Sequence, residues 1–259
     1  MNMSVNFPSS KSKHLSPEQT EEFGRRVDQI RREVMDRLGE QDAKYIYKIR
    51  NFVRYSEIAS RGMLMFGGWI PPVWVIGTGL LGISKIVENM ELGHNVMHGQ
   101  FDWLNDPSLN GANYDWDTMS SGDDWKYTHN YLHHTYTNIV GKDHDVGYGL
   151  LRVSESQKWE PRFLFNIPLA IQLMVFFEWY VGVQNLHLED ALIYKTKTWK
   201  QVWADAAKFR KKVRRQVLKD YLFFPVIAGP NALPVFVGNA VANVIRSLWS
   251  SAVIFNGHF

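Results

Sequence analysis

Nine histidines occur in the 259 residues, and five of them fall in two short runs. His94 and His98 bracket HNVMH, while His129, His133 and His134 crowd into HNYLHH. Residues four apart share one face of a helix, so each run aims a pair of imidazoles in one direction. Neutral imidazole is a ligand for zinc, copper and iron. HNVMH has the outline of the zinc-protease pattern HExxH, but Asn95 stands where the general-base glutamate is required, which excludes that chemistry. A single zinc takes three or four protein ligands. Five imidazoles exceed that number and favour two metal ions. A haem would need axial pairs deep inside opposing helices, whereas these runs lie in polar surroundings. His144 and His187 match neither run and are read as non-ligands, and His14 falls in an N-terminal tail.

Composition narrows the choice further. The chain has no cysteine, so disulfides, thiolate-bound metals and a cysteine nucleophile are all excluded, and any metal must sit among nitrogen and oxygen donors. A formal charge of +3 gives no indication of a nucleic-acid partner. Mean hydropathy is −0.26, an average that hides strong segregation of polar and apolar residues.

The elements that must position the histidines follow from that segregation. Residues 1–15 read as a disordered tail with no apolar core of a cleaved signal. SPEQ at 16–19 reads as a helix start, with Ser16 as cap, Pro17 first in the helix and Gln19 closing a capping box. Phe23, Val27, Ile30, Val34 and Leu38 then form one apolar stripe on a charged helix that Gly39 would stop. Three apolar runs follow, at 62–87, 163–186 and 221–257, interrupted only by Lys85, Glu178 and Arg246 respectively. A spanning helix needs roughly 20 apolar residues. Pro71 and Pro72 split the first run, suggesting a short re-entrant piece and a span from about residue 73. Residues 195–219 carry ten Lys/Arg against Asp205 alone, with Trp199, Trp203, Phe209, Val213 and Val217 at helical spacing. Such a basic amphipathic helix suits an anionic lipid surface, or a phosphate-bearing acyl carrier. The fold class is therefore all-α: an integral membrane helical bundle with an N-terminal amphipathic helix.

HNVMH followed by HNYLHH resembles the first two histidine boxes of the membrane fatty-acid desaturases and related hydroxylases. ENMELGHNVMHGQFDWLNDP, THNYLHHTYTN and KDHDVGYGLLR are similar to the bacterial acyl-CoA and acyl-lipid desaturases, and the likeness runs from about residue 17 to the end. The resemblance implies a membrane bundle with a cytosolic, histidine-rich cap carrying two non-haem iron ions. It implies O2-dependent removal of two hydrogens from a fatty-acyl chain borne on CoA, ACP or a phospholipid. His94 and His98 match the first box, and His129, His133 and His134 match the second. His258 falls where the family can add a ligand, and equally suits an interfacial histidine. No HPGG-type cytochrome b5 signature is present, so the implied electron donor is a separate partner such as a ferredoxin with its reductase.

The family's third box, of the type HxxHH, has no counterpart in these 259 residues. The expectation is an incomplete desaturase, occupying 16–259, that does not assemble a stable di-iron centre by itself. A membrane di-iron hydroxylase and a non-catalytic metal-binding membrane fragment are the competing readings. Topology is open between two forms. Either 163–186 and 221–257 both cross, which puts the basic segment opposite the histidines and against the positive-inside tendency, or 163–186 is re-entrant or interfacial. The expected location is the membrane, multi-pass or partly re-entrant, with the histidines on the cytoplasmic side.

Overall fold

The computed structural model describes residues 15–184, 186, 188, 191 and 195–258, the side chain of His258 apart. All regular structure among them is helical. The tail read over 1–15 lies outside the described residues, Leu15 excepted. The chain divides into two units, Met1–Tyr45 and Ile46–Phe259.

In the first unit α1 (Pro17–Arg37) begins as its sequence dictates. The Gln19 N–H donates to Ser16 Oγ at 3.2 Å, and the Ser16 N–H donates to Gln19 Oε1 at 2.9 Å. The stripe of Phe23, Val27, Ile30 and Val34 is exposed. The helix ends at Arg37 with Leu38 as its C-cap, so Gly39 stands just past the cap, where a stop glycine is read, and its N–H is directed forward to Asp42 Oδ2 at 3.0 Å. Gly39 thus serves both the end of α1 and the start of α2 (Glu40–Gly67).

The second unit is built from two helical hairpins. α2 and α3 (Pro71–Val87) form the first, and the break at Pro71 is its turn, residues 62–67 being the end of the long α2 and not a separate short piece. Proline fits the first turn of a helix, where its missing N–H is not needed. Downstream of the histidine runs, α4 (Asn166–Val175) and α5 (Phe177–Gln184) meet at a bend of 97°. The second run of apolar residues therefore does not form one straight span. α6 (Trp199–Asp205) and α7 (Ala207–Val217) follow. α7 continues through a π turn, Leu218–Phe223, into α8 (Phe224–Ile227), and α9 (Ala232–His258) returns antiparallel as the second hairpin. The two tips are tied together: Trp69 Nε1–H donates to the Pro230 carbonyl and Trp74 Nε1–H to that of Pro234, both at 2.9 Å. A Cβ on Gly68 would sit 2.7 Å from Pro234 Cβ, and one on Gly82 would sit 3.0 Å from Ile245. Small residues are what let these backbones approach.

α9 is polar inside and apolar outside. Asn239, Asn243, Arg246, Ser247, Ser250 and Ser251 are buried, whereas Leu233, Phe236, Val241, Leu248 and Trp249 are exposed. A helix on a water-soluble core has the reverse pattern. Gly229–Gly257 is the one helix among the described residues long and apolar enough to cross a membrane.

The buried polar residues form one network. Asp220 accepts from Lys85 Nζ at 2.9 Å and from Arg61 NH2 at 3.2 Å. Lys85 also reaches Asp117 at 3.1 Å, Arg246 donates to the Asp117 carbonyl at 2.6 Å, and Arg246 pairs with Glu178. α2, α3, α5 and α9 are thereby tied to the segment preceding the second histidine run. Deleting one partner of a buried ion pair costs about 3–5 kcal/mol, because the other charge is left unpaired. Asp220→Ala, which removes the carboxylate shared by Lys85 and Arg61 and leaves them only Asp117 and Glu57, is expected to destabilise the protein by up to about that amount, measured by denaturant unfolding in detergent, with Asp220→Asn losing less.

Candidate metal centre

The first run does not sit on a plain α-helix. α3 passes through a π turn, Glu88–Gly93, before the short helix His94–Met97, and His98 caps it. The second run lies on another π turn, Lys126–His133, which begins after the helical turn Gly122–Trp125. π turns often mark functional sites. Each adds a residue to its turn and so redirects the side chains that follow. Asn130 Nδ2–H donates to the Met97 carbonyl at 2.9 Å and fastens the second run to the first.

Five imidazoles meet as a result. His94 Nε2 and His98 Nε2 are 3.1 Å apart. Ring centroids of His129 lie 5.1 Å from His94, 5.2 Å from His98, 5.1 Å from His133 and 4.9 Å from His134. Two sets of possible ligand atoms, each within 4.8 Å of one another, share His129: His94, His98, His129, and His129, His133, Asp145. Trp125 stacks on His129 at 4.3 Å. His134 is exposed but keeps ring contact with His98 at 5.0 Å. His144 belongs to neither set. His14, His187 and the side chain of His258 lie outside the described residues.

The profile of the fatty acid desaturase family matches residues 67–259. The chain belongs to the fatty acid desaturase family. It is 43% identical over 251 residues to the NADPH-dependent stearoyl-CoA 9-desaturase of Mycobacterium tuberculosis (strains CDC 1551 / Oshkosh and ATCC 25618 / H37Rv), covering 95% of this chain and 58% of that protein. It is 33% identical over 129 residues to the sn-1 linoleoyl-lipid 6-desaturase of Synechocystis sp. (strain ATCC 27184 / PCC 6803 / Kazusa), covering 48% of this chain and 35% of that protein. The chain thus spans little more than half the length of the Mycobacterium relative. No solved structure matches it.

The donors of this desaturase-family chain fit the iron that the family implies. Burial, aided by neighbouring His98 and His134, pushes His94 down to about 4. Burial and the surrounding imidazoles push His129 down to about 2, and burial also lowers His98. These rings are neutral at pH 7, so their lone pairs are available to a cation. Burial raises Asp145 to about 6, an effect that His133 opposes. Imidazole nitrogen with a carboxylate is a donor set that suits iron.

A cavity of about 250 Å³ opens beside the histidines. His94, His129 and Asp145 lie in its wall with Met90, Trp116, Tyr148, Phe177, Val181 and Ile254. Glu178, Arg246, Ser247 and Ser250 line it too, so the buried network forms part of its lining. Sequence reasoning assigned no role to Asp145, Trp125 or Asn130. The only trace of Asp145 was the pair of acids flanking His144 in KDHDVG.

Because His129 belongs to both sets, His129→Ala is expected to lower affinity for a divalent metal by roughly 100-fold or more. His98→Ala and His133→Ala each remove a donor from one set only and are expected to lose less. Metal titration of the purified proteins, followed by elemental analysis, measures the order.

Proposed function

We propose that this chain belongs to an acyl desaturase and contributes His94, His98, His129, His133 and His134, with His258 as a further ligand, to the set that holds two non-haem iron ions. One observation carries the proposal: imidazoles neutral at pH 7 converge on the wall of a largely apolar cavity. Iron supplies, when bound, the O2-dependent oxidation that removes hydrogen from an unactivated carbon. The chain's own residues do the rest. Met90, Trp116, Phe177 and Ile254 offer an acyl chain an apolar wall and keep water from it. Asn130 and Trp125 hold the second histidine run against the first. The Glu178–Arg246 pair fixes the spacing of α5 and α9, between which part of the cavity lies.

The name of the Mycobacterium relative favours an acyl-CoA substrate and reducing power drawn from NADPH. That of the Synechocystis relative keeps a lipid-bound acyl chain as the alternative. Electrons come from a separate donor, such as a ferredoxin with its reductase. In our reading residues 16–259 include a multi-pass membrane bundle whose two hairpins insert from the same side. The inverted polarity of α9 supports lipid around it. Lys208 pairs with Asp123 and Lys212 with Asp115, which supports a basic segment on the histidine side. The charge conflict then disappears, because α4 and α5 need not cross and the basic segment faces the cytoplasm with the histidines.

The direct test supplies iron-loaded protein with stearoyl-CoA, O2 and a reducing system, followed by mass spectrometry of the acyl products. A monounsaturated chain is expected, and it is lost in His94→Ala. An alcohol would assign hydroxylation instead, and no oxidised product from iron-loaded protein would overturn the proposal. Ser250→Phe, which fills part of the cavity, is expected to shift preference toward acyl chains several carbons shorter, read from competition between CoA esters of different length.

A further inference from the structure

The segment after the second histidine run folds back on it, and Asp143 is the reason. Its carboxylate is almost wholly buried, with 1% of the side chain exposed. Asp143 Oδ2 lies 2.9 Å from His133 Nδ1 and accepts the Asn138 N–H at 2.8 Å, while Oδ1 accepts the Asp145 N–H at 3.0 Å. Asn138 has a φ of 63°, a left-handed conformation that asparagine tolerates better than most residues. The Thr137 hydroxyl donates to the His133 carbonyl at 2.7 Å, closing the same turn. With donors on both oxygens, the carboxylate cannot rotate away from His133.

We propose that Asp143 is a positioning residue of the metal centre: it holds the His133 proton on Nδ1 and so leaves the Nε2 lone pair for a metal ion. An ionised carboxylate is an acceptor only, so the ring nitrogen facing it must carry hydrogen. A neutral imidazole free in water prefers its proton on Nε2, where it would block coordination through that atom. Asp143 reverses that preference before any metal arrives. The same hydrogen bond fixes the ring's orientation, as carboxylates behind metal-bound histidines commonly do. Asp145, whose backbone N–H Asp143 holds, carries the chain on into the cavity wall.

The inference rests on reading these imidazoles as metal ligands, and the test separates the two. Nitrogen-15 NMR of the metal-free, histidine-labelled full chain reads the His133 tautomer, and Co(II) titration by visible absorption reads metal affinity. Wild type is expected to carry the proton on Nδ1 and to bind Co(II). Asp143→Ala is expected to shift the proton toward Nε2 and to weaken Co(II) binding roughly 10- to 100-fold. Asp143→Asn, which keeps an acceptor oxygen, is expected to restore the tautomer and part of the affinity, so the reading survives even if the alanine variant does not fold. Co(II) uptake by wild type with the His133 proton on Nε2 overturns the role of Asp143 alone. A folded Asp143→Ala with unchanged tautomer and affinity does the same. No Co(II) uptake by wild type overturns the metal reading and this inference with it.

Discussion

The Asp220 carboxylate, shared between Lys85 and Arg61, is the interaction on which the second unit depends. Two cations and a carboxylate removed from water are tolerable only if each stays paired. The helices that carry them therefore cannot slide or rotate past one another. Lys85 is two residues from the end of α3, so pinning it fixes where the chain leaves that helix and enters the first histidine run. Through Asp117 and Arg246 the same network reaches the segment that leads into the second run. The polar core thus sets the distance between the two halves of the histidine cluster, as well as joining the helices.

The apolar exterior and polar interior of α9 follow from the same arrangement. Around lipid there is no hydrophobic drive between helices, so close approach of small residues and interhelical hydrogen bonds must supply cohesion. Gly68 and Gly82 allow that approach, and Asn239 and Asn243 bond toward Asp220 and Tyr221. Because the network ends at Glu178 and Arg246, the cavity has a charged lining on one flank, with imidazole and apolar residues elsewhere. An acyl chain entering it would meet a wall whose shape is held by ion pairs, a stiffer device than packing alone.

Some of this was legible in the amino-acid order. The capping box of Ser16 and Gln19 forms as read, because it is a local matter of three residues and their hydrogen bonds. The histidine runs, the exclusion of thiolate chemistry and the all-helical class needed only residue types and short spacing. That residues 62–67 end a helix begun at Glu40 had no signal at Pro71, since proline marks a helix start equally well after a hairpin turn or a short separate piece. The π turns had no signal, because every residue in LysTyrThrHisAsnTyrLeuHis at 126–133 is compatible with an ordinary helix.

The sequence by itself determined the chemistry on offer: nitrogen and oxygen donors, imidazoles in pairs, and long apolar runs. Only the tertiary structure decided which of these groups meet. Lys85 and Asp220 are 135 positions apart, and Arg61 and Asp220 are 159 apart. No local propensity encodes such a pairing; it exists because two hairpins pack side by side, α3 along α9, and exclude water between them. Asp143 and His133 are only ten positions apart, yet their bond likewise depends on a turn whose left-handed residue and buried carboxylate stabilise each other. Burial is the physical reason in both cases. A charge or a ring nitrogen acquires a definite partner only once the fold has removed water as the alternative.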